Sequence, residues 1–357
     1  MYLSLIALSL MAAAEPQYNL TIFRSNGEKT VIPVTEIDRM EITEADPGSL
    51  TDPENPGSPD RNFSNIRPGT PQQPDLTPGF SGSFFAPGVT AEAGFVDADK
   101  YGANGPYRDD SADCWMCSAA DLVQWWLNDY KAWTGRDFVL SHDLPSPSLY
   151  NNIPVMDAMM QAYNATNGGD TYEAVGWFFE GVATNSQMNG VTTFNEAYPY
   201  WKGNFGGFGH ERLRDIYVVQ DETFGYLEPR YMYYSNDPKT KYLDADEMAV
   251  EFTRQTIATL QYGPLHVCTA FHALACFGID YTVDGNGNPV MTRMYMVDND
   301  PVEANVRNGY NMATPHFKDG GVVWISIASA YNGGYDPVTR ITKTFGIKSV
   351  RFMNCQK

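Results

Sequence analysis

Basic side chains are scarce in this chain of 357 residues: 24 Lys and Arg stand against 43 Asp and Glu, a formal net charge of −19. That excess of negative charge argues against non-specific binding to nucleic acid or to an anionic membrane surface, and no cluster of Lys and Arg offsets it. An apolar run of about 20 residues, the length a helix needs to cross a bilayer, is also missing, so no transmembrane segment is expected. Cysteines are few and odd in number, at 114, 117, 268, 276 and 355. They cannot build a disulfide scaffold, and at least one must remain a free thiol. A second Cys-x-x-Cys, or a His-x-x-x-His at finger spacing, is absent, so neither metal nor cofactor is expected. Only five histidines occur (142, 210, 266, 272 and 316), which narrows the search for an imidazole base.

What is present describes a folded, exported protein. Hydrophobic residues make up 43% and aromatic residues 13% of the chain, too many for a disordered one. Residues 1–14 are apolar and end in Ala12-Ala13-Ala14, the pattern of a secretory signal and its cleavage site, although a basic n-region is lacking. Residues 15–44 read as a small β-rich segment, with strands over 20–24 and 30–34 around an Asn26-Gly27 turn and a third strand over 37–42. This segment is the candidate for attachment to a cell surface. Residues 45–79 form a linker rich in Pro and Gly.

The remainder, 80–357, reads as one domain. Helical spacing covers 114–130, 151–164, 170–183 and 245–261, and strand patterns cover 264–271, 272–283, 289–298, 321–329 and 345–353. Helices first and strands later predict an α+β fold, with a helix packed on a mostly antiparallel sheet.

Two stretches carry chemistry. In Asp113-Cys114-Trp115-Met116-Cys117, Asp113 is a candidate N-cap and Cys114 falls in the first helical turn, where the helix dipole favours a thiolate. Cys117 lies one turn on and faces the core. Redox use of the Cys-x-x-Cys pair competes with this reading, but such motifs follow a strand and this one follows a glycine-rich loop. Far downstream, His272 opens a strand pattern that returns through the Gly/Asn-rich turn 284–288 to Asp298-Asn299-Asp300. If Val283 faces Pro289 across the turn, His272 lies opposite Asp300 with Asp298 diagonal to it, all on one face. His266 is the rival base, but Leu265-His266-Val267-Cys268 reads as a buried strand without a carboxylate partner. A thiol nucleophile, an imidazole and a carboxylate are the parts of a cysteine peptidase.

From about Gly94 to Asp300 the chain resembles the IdeS/Mac family of secreted bacterial cysteine endopeptidases, known for cleaving immunoglobulin G. The resemblance lies in Cys114 standing eleven residues before Trp125-Trp126, in His272 before Gly278-Ile279-Asp280-Tyr281, and in Asp298-Asn299-Asp300 after a Gly-Asn turn. Relatives of papain usually carry a Gln just upstream of the nucleophile, but none occurs between Gln73 and Gln124. IdeS-like enzymes use a Lys in a Gly-aromatic-x-Asp-x-x-Lys stretch instead, matched by Gly94-Phe95-Val96-Asp97-Ala98-Asp99-Lys100. Trp115 and Cys117 depart from the family, which has small residues there.

The resemblance implies a papain-like fold, Cys114 as nucleophile, His272 as base and Asp298 as its orienter. It further implies Asp300 in support and Lys100 as oxyanion donor. It also implies a protein substrate, with immunoglobulin a candidate that does not follow for this chain. A non-catalytic binding protein on a peptidase scaffold and a Cys114/Cys117 oxidoreductase are the competing expectations.

Overall fold

The computed structural model describes, with side chains, residues 66–67, 69–99, 113–140, 143–144, 153–163, 169–179, 239–270, 272–299, 310–326 and 338–352. It describes the backbone alone of 19–23, 29–33, 101–102, 105–106, 180 and 306–307. The chain divides into two compact units, Met1–Glu54 with Cys355–Lys357, and Asn55–Asn354. In the first, β1 (Asn19–Phe23) and β2 (Lys29–Pro33) pair antiparallel, with Phe23 opposite Lys29. The expected signal segment, the Asn26-Gly27 turn and the third strand lie outside the described residues.

Among the described residues, the regular structure of the second unit begins with β3 (Ser81–Phe85) and the two-residue strands β4 (Tyr101–Gly102) and β5 (Gly105–Pro106). Helices α1 (Cys114–Thr134), α2 (Pro154–Ala162), α3 (Thr171–Glu180) and α4 (Ala245–Leu260) follow. Then come β6 (Leu265–Thr269), β7 (Ala273–Val283), β8 (Pro289–Val297), β9 (Val306–Arg307), β10 (Tyr310–Lys318), β11 (Val322–Ser326) and β12 (Val338–Gly346), closed by a 3-10 turn at Val350–Phe352.

The strands do not form an open sheet. In the order β11-β12-β6-β7-β8-β10 each hydrogen-bonds the next antiparallel, and β10 then pairs with β11, so six strands close into a barrel. The expectation of a papain-like α+β fold, a helix on a mostly antiparallel sheet, is thereby overturned. What the sequence reading missed is the closing pairing. It runs through Thr314↔Ser326 to Lys318↔Val322, around a turn whose Gly320 and Gly321 have φ of 83° and 70°. Those values suit glycine, because a Cβ would clash in the left-handed region. Closure leaves none of the six strands as a free edge along its whole length, which a small all-antiparallel sheet otherwise has to protect.

Helix α4 touches all six strands of the ring, as an element lying across a barrel mouth or in its lumen must. Its start is fixed by a capping box: Asp244 Oδ1 accepts from Glu247 N at 2.9 Å and Glu247 Oε2 accepts from Asp244 N at 3.1 Å. Its apolar face buries Met248, Phe252, Ile257 and Leu260.

Helix α1 packs on β6 and β7 and against α2 and α3. Trp126 is sealed among Tyr130, Phe138 and Phe179, with ring centroids 5.1–5.7 Å apart. At the far end of α1, buried Asp129 accepts hydrogen bonds from Ser349 and from the Arg351 guanidinium, fixing the helix to the chain's last described turn. No helix among the described residues is long and apolar enough to cross a membrane.

The β7–β8 hairpin carries a detail that matters for the site. Val283 does face Pro289, but two bulges follow. Thr292 is an extra residue on β8 between Met291 and Arg293, and Phe277 is an extra one on β7 between Cys276 and Gly278. One bulge alone would slip the pairing by a residue. Together they cancel, and Ala275 meets Val297 in the register an unbulged hairpin would have given.

Candidate active site

Cys114 is the first residue of α1 and is partly exposed, whereas Cys117 is fully buried one turn later. Asp113 occupies the cap position, but its side chain makes no capping hydrogen bond. Neither cysteine forms a disulfide, nor do Cys268 and Cys276. Burial pushes the Cys276 thiol up to about 12 and raises that of Cys268, so neither is poised to ionise near neutrality. Cys117 is sealed from solvent, so of the two only Cys114 can meet an external partner.

His272 directly precedes β7 and is locked by the β6–β7 connection. Thr269 Oγ1 accepts from His272 N at 2.9 Å, and Thr269 N donates to His272 O at 2.7 Å. The ring's Nε2 donates to Asp298 Oδ1 at 2.6 Å. Asp298 follows the last residue of β8, and its carboxylate is fully buried. Nδ1 is thereby left for Cys114, which hydrogen-bonds the same ring. Burial disfavours the imidazolium, but hydrogen bonds to Asp298 and Cys114, with the charges of both, outweigh it and push His272 up to about 10. The ring is thus built to hold a proton between the Cys114 sulfur and the Asp298 carboxylate.

His266 has the opposite environment. It is buried in β6, and burial together with the Lys343 charge pushes it down to about 3, against the opposing pull of Asp170. Ser118 Oγ donates to Leu274 O at 2.9 Å, so its lone pairs are what His266 Nδ1–H meets at 2.9 Å. This is a neutral core histidine. Asp170 acts on it only through space and is itself ion-paired to Lys343.

The segment Gly94–Asp99 straps α1 to the barrel. Ala98 N donates to Asp121 Oδ1 of α1 at 2.7 Å, and the Phe95 ring lies 4.2 Å from that of Tyr310 in β10. Gly94 (φ 90°) opens the strap, where a Cβ would stand 2.2 Å from Gly88 O. The strap brings Asp97 close enough to Asp298 for the charges to interact. Burial, then the charges of Asp99 and Asp298, push Asp97 up to about 7, and burial with the Asp97 charge raises Asp121 well above the usual carboxylate range. Among the described residues, no group of three or more His, Cys, Asp and Glu could hold a metal ion.

Cys114, His272 and Asp298 are therefore brought together, while Lys100 and Asp300 lie outside the described residues. Asp280 of the Gly-x-Asp-aromatic match is elsewhere, accepting from Ser83 Oγ at 2.6 Å and Tyr295 OH at 3.0 Å where β3, β7 and β8 meet. Sequence reasoning missed Thr269, Asp97 and Asn299. Asn299 carries no charge, so nothing in the local sequence marks it out between Asp298 and Asp300. No family model matches the chain, and no curated protein matches it.

Proposed function

We propose that the protein is a cysteine endopeptidase that hydrolyses peptide bonds through Cys114, His272 and Asp298, acting as an exported protein. The observation that carries this reading is the His272 ring held between the Cys114 thiol and the buried Asp298 carboxylate. The Cys114 thiolate attacks the scissile carbonyl carbon, and the C–N bond then breaks as His272 gives its proton to the leaving amine. The resulting thioester is opened by water, whose proton returns to His272 as the thiolate leaves. Asp298 keeps the ring oriented and charged throughout. Lys100, with the backbone amide of Cys114, is proposed to receive the oxyanion, and Asp300 to support Asp298.

Kinship with the IdeS/Mac group is proposed on the spacing of these residues alone, because the papain-like fold that the resemblance implies is overturned by the barrel. A protein substrate with a neutral or basic surface suits the net charge of −19.

The test is digestion of a proteome-derived peptide mixture, read by mass spectrometry, with wild type and Cys114→Ala. New termini that vanish in the variant are expected. Failure to find any Cys114-dependent cleavage, together with ordinary thiol reactivity at Cys114, would overturn the reading.

A further inference from the structure

The site described so far has three side chains on three separate elements, and nothing in their pairwise contacts explains how α1 is held at the right distance from the barrel. Asn299 does. It is 2% exposed and lies beyond the end of β8. Its Nδ2 donates to Cys114 O at 3.1 Å and to Ala273 O at 2.9 Å. Cys114 is the first residue of α1, and Ala273 is the residue bonded to His272. One amide group thus spans the backbones of the two residues whose side chains must meet. Both contacts require a donor, so the NH2 end faces them. The Oδ1 end is buried without a hydrogen-bond donor among the described residues. Asp298, the preceding residue, holds the ring itself.

We propose that Asn299 is a positioning residue that sets the separation of the Cys114 thiol and the His272 ring by clamping the carbonyls of Cys114 and Ala273. This rests on the cysteine-peptidase reading of the site. The dipeptide Asp298-Asn299 then organises the whole centre: one side chain orients the imidazole, the next fixes nucleophile and base to each other. The β-ladder cannot do this, because the Cys114 carbonyl belongs to a helix that is no part of the barrel. An error of about 1 Å in such a placement costs on the order of 10²-fold in rate.

The experiment follows iodoacetamide alkylation of Cys114 against pH in the full chain, by mass spectrometry, for wild type, Asn299→Ala and Asn299→Ser, with melting monitored for each. Serine keeps one hydroxyl and is retained in case the alanine variant fails to fold. Wild type is expected to react at about pH 5.5, far below the free-thiol range near 8.5. Folded Asn299 variants are expected to lose about 10²-fold of that rate, yet to approach wild type at about pH 9.5, where any thiol ionises. Wild-type reactivity in the variants at both pH values, with only the melting temperature changed, would make Asn299 a packing residue and overturn the clamp while leaving the peptidase reading intact. An unreactive wild type at about pH 5.5 would overturn both.

Discussion

Replacing Asp97 with Asn should stabilise the protein more at alkaline than at acid pH. Asp97 Oδ1 is sealed from solvent without a hydrogen-bond partner among the described residues, and burial with the charges of Asp99 and Asp298 pushes the group from about 3.8 to about 7. A folded pKa above the unfolded one means that the native state holds the proton more firmly. The stability this contributes is complete below about pH 4 and is lost as pH rises through 7. Asparagine has the same shape and never ionises. Between pH 5 and 7 the wild type traverses about two pH units at about 1.4 kcal/mol each, and discounting for the partly exposed remainder of the side chain leaves about 2 kcal/mol. Urea unfolding of both proteins at about pH 5 and 8, followed by tryptophan fluorescence, measures this directly, since groups common to both largely cancel in the difference. A difference that stays constant with pH within about 0.5 kcal/mol would refute the assignment.

Asp298→Asn removes the carboxylate that keeps His272 charged; kcat should fall by roughly 10²–10⁴, and the alkaline limb of kcat/KM should move down from about 10. An unmoved limb would contradict the pairing. Arg351→Ala strands the buried Asp129 carboxylate and should cost about 3–5 kcal/mol in urea unfolding at neutral pH; a loss under about 1 kcal/mol would show that the pair is not what anchors α1. Cys117→Ser should leave peptide cleavage and Cys114 labelling intact, whereas their loss would favour dithiol chemistry.

Local structure was readable and closure was not. The four described helices start and end within a few residues of where 3.6-residue spacing placed them, and β7 and β8 lie within a residue of the expected 272–283 and 289–298. The expected strand over 345–353 is instead the end of β12 and the 3-10 turn. The unforeseen strands β10 and β12 include both that flank β11 and complete the ring. Pro315 disguised β10, since proline is rare inside sheets. It is tolerated because the pairing with β8 ends at Ala313, leaving β11 as its only described neighbour at that point. In β12 most side chains are half-buried on both faces, so no clean alternation marks it.

The site was legible as far as chemistry type and spacing go: Cys114 at a helix start and His272 beside Asp298. The clamp of Asn299, the Thr269 lock and the Asp97 strap depend on contacts across the fold that no local pattern encodes.

The two cancelling bulges also shape what this hairpin can inherit. Phe277 and Thr292 are each the unpaired residue of a bulge, so losing either alone removes that bulge and leaves every pair beyond it matched as it is now. Cys276 would still face Met296 and Ala275 would still face Val297, with the imidazole on the side of its carboxylate. Single-residue length changes at these two positions are therefore compatible with the same centre. Related chains are free to differ by one residue in either strand between the turn and the histidine.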